Sequence, residues 1–173
     1  GVQTCALPIY SDDEEIFIIH DLQNDIDKLL DFLEYNVTHD EWHVSFNGLG
    51  FDGQITEYII QNSFQLREMG GSEIAEWIYA KAQKVIETSN AGEFLEFSER
   101  NMSINQVDVY KLNHWDNPAK RSSLKWIQFS MDWQNIKDMP IHHSTEIKTF
   151  EQIEEIVSYC INDVESTKAI MML

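Results

Sequence analysis

The stretch FNGLGFD, residues 46–52, decides how the fold of this chain is interpreted. Before it, residues 42–46 alternate between apolar and polar side chains, which is typical of a strand. Two glycines then interrupt the chain, and Phe51 opens a run with helical spacing. Asp52 ordinarily caps such a helix, because its carboxylate accepts free N–H groups and suits the helix dipole. A functional role for Asp52 requires a second carboxylate that the fold brings to it.

Strand and helix patterns alternate along the whole chain, which favours an α/β layer fold. Strands are predicted at Glu15–His20, Glu41–Phe46 and Gln106–Lys111. Helices are predicted at Asp25–Tyr35, Phe51–Gln61, 72–88 with Ser72 as the cap, Ser123–Met131, and Phe150 to the chain end. Three strands are few for such a sheet, which agrees with a missing N-terminal piece.

Three of these helices have an apolar face, and the last has a start signal. The expected buried positions are Ile26, Leu29, Leu30 and Leu33 in the first helix, Ile55, Tyr58 and Ile59 in the second, and Ile74, Ile78, Val85 and Ile86 in the third. Thr149 and Gln152 have the spacing of a capping box, which predicts the start of the last helix at Phe150.

The chain has 173 residues and a net charge of -18, which excludes non-specific nucleic-acid binding over most of its surface. The same acidity suits a cation site, since Mg²⁺ and Mn²⁺ take oxygen ligands. Two cysteines make a disulfide framework improbable, so we expect a reducing cytoplasm. The sequence contains neither an apolar run of about 20 residues nor a signal peptide, so we expect no membrane partner.

Positive charge is concentrated in the segment KLNHWDNPAKRSSLK, residues 111–125. Its basic residues are Lys111, Lys120, Arg121 and Lys125, with His114 and Trp115 among them. An ordinary solvated loop explains this composition. The alternative is a phosphate-facing patch, because basic and aromatic side chains together suit single-stranded nucleic acid.

The two ends of the chain suggest a fragment. Residues 1–9, GVQTCALPI, resemble the translation of a common sequencing adapter, so we expect the natural domain to occupy residues 10–173. The C-terminal KAIMML stops inside an apolar helical pattern without a stop signal. We therefore expect a domain truncated at both ends.

The second carboxylate is Asp163, in the last predicted helix. Tyr159 lies four residues before it, so both side chains share one helix face. Ile156 and Ile170 fall on nearly the same face. Because an isolated carboxylate in an apolar stripe is costly to bury, Asp163 is better explained if it points into a cleft that holds a cation.

These motifs resemble those of a known family. Residues 47–52, NGLGFD, resemble the second exonuclease motif of proofreading domains in family B DNA polymerases, and residues 159–164, YCINDV, resemble their third, Tyr-x-x-x-Asp. Residues 107–109 and Ser-Leu-Lys at 123–125 resemble the family's intervening features, in the same order. The resemblance spans residues 15–173 and is to the DnaQ-like, RNase H-fold exonucleases, with phage or viral polymerases as the nearest type.

The resemblance implies an enzyme that hydrolyses DNA from its 3′ end with two divalent ions, Mg²⁺ or Mn²⁺. It makes Asp52 and Asp163 metal-site acids and catalytic residues, and it gives Tyr159 the task of orienting the attacking water. Asn47 and Phe51 would line the cleft near the terminal nucleotides. Phe51 could stack there on a base or sugar, and the alternative is that it belongs to the core. The implied partners are a single-stranded DNA 3′ end and a polymerase, which is either a domain of the same chain or a separate protein. The implied location is the cytoplasm, which is that of the host if the source is a phage.

The family's other two acids form an Asp-x-Glu motif on a first strand, which we expect upstream of Glu15. Residues 13–15 spell Asp-x-Glu, but they precede a strand and fit a solvated acidic turn. We therefore expect an RNase H-like sheet without its N-terminal strand, half a metal site, weak metal affinity and little nuclease activity. The alternative is a non-catalytic RNase H-like scaffold or a single-strand-binding module. An exonuclease acting on RNA also stays open.

Several other residues are assigned structural roles. Asp108, within a predicted strand, is expected to be structural, with an approach to the site as the alternative. His39 and His43 lack a third metal ligand. Buried positions are expected for Cys160, Trp77, Trp126 and Trp133. His142 and His143 are expected in a surface loop.

Overall fold

The computed structural model describes residues 15–116, 122–142 and 145–173. The adapter-like stretch at residues 1–9 lies outside the described residues, as do most of the Asp-x-Glu lookalike, two of the basic residues (Lys120 and Arg121) and His143.

The described residues form a mixed α/β structure. Its strands are β1 (Ile19–His20), β2 (Gln23–Asn24), β3 (Trp42–Ser45) and β4 (Asn105–Asp108). Its helices are α1 (Ile26–Thr38), α2 (Asp52–Gln61), α3 (Ser63–Leu66), α4 (Gly71–Asn90), α5 (Val109–Asn113), α6 (Leu124–Ser130) and α7 (Phe150–Met171). Short 3₁₀ turns lie at Gly48–Gly50 and Glu99–Asn101.

The strands pair into two small sheets. β1 and β2 form an antiparallel hairpin, whereas β3 and β4 run parallel, with Trp42 opposite Asn105 and Ser45 opposite Asp108. A parallel pair needs a long crossover connection, and α2, α3 and α4 lie within it. The α/β class is therefore confirmed, while the predicted strand Glu15–His20 is correct only for its last two residues.

The core lies among α1, α2, α3 and α4. Its least accessible side chains include Leu29, Leu33, Ile59, Leu66 and Ile74. The predicted apolar face of α1 is confirmed, because all four of its positions are buried. Burying each such side chain contributes about 1.5–3 kcal/mol to the free energy of unfolding.

The start of α4 differs from the prediction. Its N-cap is Gly70 rather than Ser72, and the Ser72 hydroxyl instead donates to Asp21 Oδ2 at 3.0 Å. A Cβ on Gly71 would lie 2.6 Å from the carbonyl oxygen of His20, so the helix approaches β1 more closely than a side chain allows. Ile86, predicted to be buried, is 40% exposed.

The strand predicted at Gln106–Lys111 is wrong beyond Asp108, where α5 begins. Asp108 itself ends the strand, because its side chain accepts a hydrogen bond from the Tyr110 N–H at 3.0 Å and so caps α5. Trp126 is also not in the core: α6 buries Ile127 and Gln128, which leaves the indole 62% exposed.

The predicted capping box of α7 is confirmed, since Thr149 and Gln152 each bond the other's backbone. Trp77 is half-buried and stacks on Tyr58 with ring centroids 4.1 Å apart, and Trp133 is half-buried. Among the helices that the structure describes, none combines the length and the apolar character needed to cross a membrane.

Candidate functional site

One cleft of about 660 Å³ opens where β3, the start of α2, α4 and α7 meet. Asp52 reaches its wall from the first turn of α2, and Tyr159 and Asp163 reach it from the middle of α7. The fold therefore brings Asp52 and Asp163 to the wall of a common cavity, although more than a hundred residues separate them.

The turn that carries Asp52 is held by Asp108. The Asp108 carboxylate is buried at the end of β4 and accepts the backbone N–H of Asn47 at 2.8 Å and of Leu49 at 3.2 Å. With the N–H of Tyr110, this gives Asp108 three backbone donors, so its predicted structural role is confirmed. Because its oxygens are engaged in this way, Asp108 positions the turn.

The turn itself is unusually tight. A Cβ on Gly48 would lie 1.8 Å from Ser45 Oγ, so only glycine fits there. Asn47 has φ 62°, in the left-handed region that asparagine tolerates better than most residues. The Asn47 side chain is exposed, and Asn47 does not belong to the described residues that line the cleft. Phe51 does line the cleft and also packs against the core.

Asp52 lies in an environment that disfavours its charge. The residue lines the cleft, where protein atoms replace much of the surrounding water. This desolvation raises the pKa of Asp52 to about 6, and the negative charge of Asp108 adds to the rise, while a backbone hydrogen bond opposes it. Asp52 as a residue is accessible and lines the cleft, so a cation that enters the cleft can approach it.

Asp163 and Tyr159 are linked on α7. The half-buried Tyr159 hydroxyl donates to the Asp163 carboxylate, and burial together with that carboxylate raises the pKa of Tyr159 well above its usual value. Burial also raises the pKa of Asp163, although hydrogen bonds from Tyr159 and Gln128 oppose the rise. Tyr159 therefore remains a protonated donor at neutral pH.

The donor set fits a hard divalent cation in part. Mg²⁺ is commonly bound by one or two carboxylates, with water and substrate phosphate completing its coordination. Asp52 and Asp163 supply two such carboxylates to one cleft. Over residues 15–116, 122–142 and 145–173, no group of three or more His, Cys, Asp or Glu side chains is close enough to hold a metal.

Sequence reasoning missed other polar residues of the cleft wall. His43 is buried on β3, and this burial lowers its pKa to about 4, so the ring is neutral. Its Nε2 lies 3.4 Å from Asn36 Nδ2, whereas His39 is exposed and stacks on Tyr35, so the two histidines do not share a site. Cys160, expected to be buried, is half-buried and lines the cleft.

A signal for these wall residues exists in principle. Ligands of parallel sheets bind beyond the carboxyl ends of the strands. Ser45 lies at that end of β3, opposite Asp108, and its buried hydroxyl has no partner among the described residues. A polar residue at the carboxyl end of a strand, directly before a glycine turn, therefore indicates that this end of the strand forms a cleft wall.

The basic segment is only partly described. Lys111 and Trp115 are exposed, and Lys125 forms an ion pair with Asp138. Leu124, at the start of α6, lines the cleft. The segment thus borders the cleft at α6, which is compatible with either of its two interpretations.

Comparison of the chain with protein-family models, with curated proteins and with solved structures found no match. The functional interpretation therefore depends on the motifs and on the geometry of the cleft.

Proposed function

We propose that this chain is part of a 3′–5′ exonuclease domain that removes nucleotides from single-stranded DNA ends. The observation that carries the proposal is the common cleft of Asp52, Tyr159 and Asp163, which come from two separate motifs. A helix cap explains Asp52 alone. It does not explain why a second carboxylate with its own tyrosine donor faces the same cavity.

In this proposal Asp52 and Asp163 hold Mg²⁺ or Mn²⁺. When bound, the ions would activate the attacking water and stabilise the leaving 3′ oxygen. Tyr159 is protonated at neutral pH, as tyrosine ordinarily is, so its hydroxyl can donate to Asp163 or orient a water beside it. Each of these groups acts from a fixed helix position, which favours precise placement.

The cleft also suits an unpaired nucleotide. Its wall contains the aromatic side chains of Phe46 and Phe51 beside the polar ones, and a base can stack on an aromatic ring whatever its sequence. The strong net negative charge disfavours extended contact with a duplex. Both features favour a short single-stranded end as the substrate, delivered by a polymerase in the same chain or in a partner.

The test is a nuclease assay on 5′-labelled single-stranded DNA with Mg²⁺ or Mn²⁺. The chain is expressed together with the coding sequence that precedes Tyr10 in its source DNA, so that any Asp-x-Glu strand is included. We expect stepwise shortening from the 3′ end, lost in both Asp52→Ala and Asp163→Ala. Asp27→Ala is the matched control, because Asp27 also lies in the first turn of a helix but outside the cleft.

A folded protein that leaves the DNA intact with both metals would contradict the exonuclease. The non-catalytic scaffold or single-strand-binding module would then be the better interpretation. Loss of activity in Asp27→Ala as well would show that the variants act through folding.

A further inference from the structure

The side chain of Gln128 has no contact with solvent, although it is an amide on the short helix α6. Its Nε2 donates to Asp163 Oδ1 at 3.3 Å and to Ser166 Oγ at 2.7 Å. Burying an amide is unfavourable unless its polar atoms are bonded, and Gln128 Oε1 is buried with no partner among the described residues. The position of Gln128 therefore needs an explanation, and both of its contacts lead to the part of α7 that carries Asp163.

The protons of this cluster can be assigned. The Ser166 hydroxyl donates to the carbonyl oxygen of Asp163 at 3.0 Å, so its oxygen lone pairs are free to accept from Gln128. The two Nε2 protons then go to Ser166 and to the Asp163 carboxylate. Rotating the amide would place Oε1 against that carboxylate, which is repulsive, so the orientation with Nε2 toward Asp163 is favoured.

The rest of the Asp163 residue is held as well. Its carbonyl oxygen also accepts the Thr167 hydroxyl at 2.8 Å, and its carboxylate accepts the Tyr159 hydroxyl. A neutral amide donor fixes a carboxylate without cancelling its charge, whereas a lysine or arginine in its place would compete with a cation. Gln128 thus restrains Asp163 and leaves its negative charge available.

We propose that Gln128 is a positioning residue that fixes the Asp163 carboxylate for cation binding. This inference rests on the proposed function, because it assumes that Asp163 is a metal ligand. Hydrogen-bond partners of ligating carboxylates orient the ligand, and removing such a partner typically lowers metal affinity about 10–100-fold. Gln128 contacts the ligand and not the metal, so its effect passes through Asp163.

The experiment titrates Mn²⁺ into the 173-residue chain and follows paramagnetic broadening of its amide signals by NMR. In the wild-type chain we expect broadening around Asp52 and Asp163 that disappears in Asp163→Ala. In Gln128→Met, which keeps a long side chain without a donor, we expect Mn²⁺ affinity to fall about 10-fold. This readout needs no catalytic turnover.

Trp133→Phe is the matched control. It removes the hydrogen bond from Trp133 Nε1 to Asn162 Oδ1, 3.1 Å long, which also joins this region to α7 but does not reach Asp163. We expect both variants to lose stability and only Gln128→Met to lose Mn²⁺ affinity. If Gln128→Met does not fold, Gln128→Asn keeps the amide, shortens its reach and is expected to weaken Mn²⁺ binding in the same way.

The outcomes separate the inference from the proposed function. Unchanged Mn²⁺ affinity in a folded Gln128 variant, with binding that still depends on Asp163, overturns the positioning role alone. Equal weakening in Trp133→Phe overturns it too, since the effect would then be structural. Wild-type Mn²⁺ binding that is absent, or that does not depend on Asp163, overturns both the positioning role and the assignment of Asp163 as a ligand.

Discussion

Single carboxylates in this chain take different roles because their surroundings differ. Asp108 is buried and accepts three backbone N–H groups, so its charge is satisfied by the fold. Asp52 is nearby in space but opens on the cleft, and its pKa is raised to about 6 by desolvation and by the charge of Asp108. One aspartate therefore stabilises the turn, and the other remains available to a ligand.

At this scale we predict the effect of Asp108→Asn. The amide keeps one acceptor but places N–H groups where the carboxylate accepted the N–H of Leu49 or of Asn47, so buried donors are left unpaired. Each unpaired donor costs about 1–3 kcal/mol, and urea denaturation should show a loss in that range. Asp27→Asn, at an exposed ion pair, serves as the control and should change stability by less than about 1 kcal/mol. Equal losses in both variants would contradict the role of Asp108.

At the scale of elements, the turn between β3 and α2 sets where the cleft begins. Gly48 lies against Ser45 with no space for a side chain, and Asn47 takes a left-handed conformation. The turn therefore reverses the chain within a few residues and starts α2 with Asp52 at the cleft. α7 supplies another part of the cleft wall, with Tyr159 and Asp163 one helical turn apart.

This geometry predicts that Gly48→Ala is disruptive. The added methyl group would lie 2.6 Å from Ser45 Cβ, so the turn must shift, at a cost of about 1–3 kcal/mol in the free energy of unfolding. Gly70→Ala is a suitable comparison, since no atom lies within 4 Å of its added Cβ and its φ is -76°. Thermal unfolding of both variants measures the difference, and a Gly48→Ala protein as stable as Gly70→Ala would contradict the close approach.

At the scale of the whole molecule, the cleft forms only when the parallel strand pair, the crossover helices and α7 come together. His43 reports on this assembly, because burial in the folded protein lowers its pKa to about 4. The unfolded chain takes up a proton near the ordinary value of 6.5, while the folded protein does not until about 4. His43 therefore contributes stability above pH 6.5 that is lost as the pH falls toward 4.

We accordingly predict that the free energy of unfolding falls by about 3 kcal/mol on account of His43 between pH 7 and pH 4. Asp52 acts in the opposite sense, because its raised pKa means that the folded protein binds a proton more tightly as the pH falls through 6. Comparing urea denaturation of the wild type and His43→Leu across this range isolates the histidine. If the free energy of unfolding of the wild type falls no more steeply with pH than that of His43→Leu, the ring is accessible to protons in the folded state.

Much of the local structure was predictable because its causes lie within a few residues. The apolar spacing of Leu29, Leu30 and Leu33 predicted α1, and the Thr149–Gln152 capping box predicted the start of α7. Strand lengths were less predictable, since a strand ends where its partner ends. Asp108 ended β4 by bonding to a turn some 60 residues earlier, at Asn47.

Local sequence patterns were enough to predict the α/β class, most helices and the two motifs that single out Asp52, Tyr159 and Asp163. Their spacing and flanking residues are local properties of the chain. Three features became visible only in the folded chain: the motifs share one cleft, Asp108 holds the turn, and Gln128 reaches Asp163. Those contacts join residues 35 or more positions apart, and no local pattern encodes them, because they form only when packing brings distant elements together.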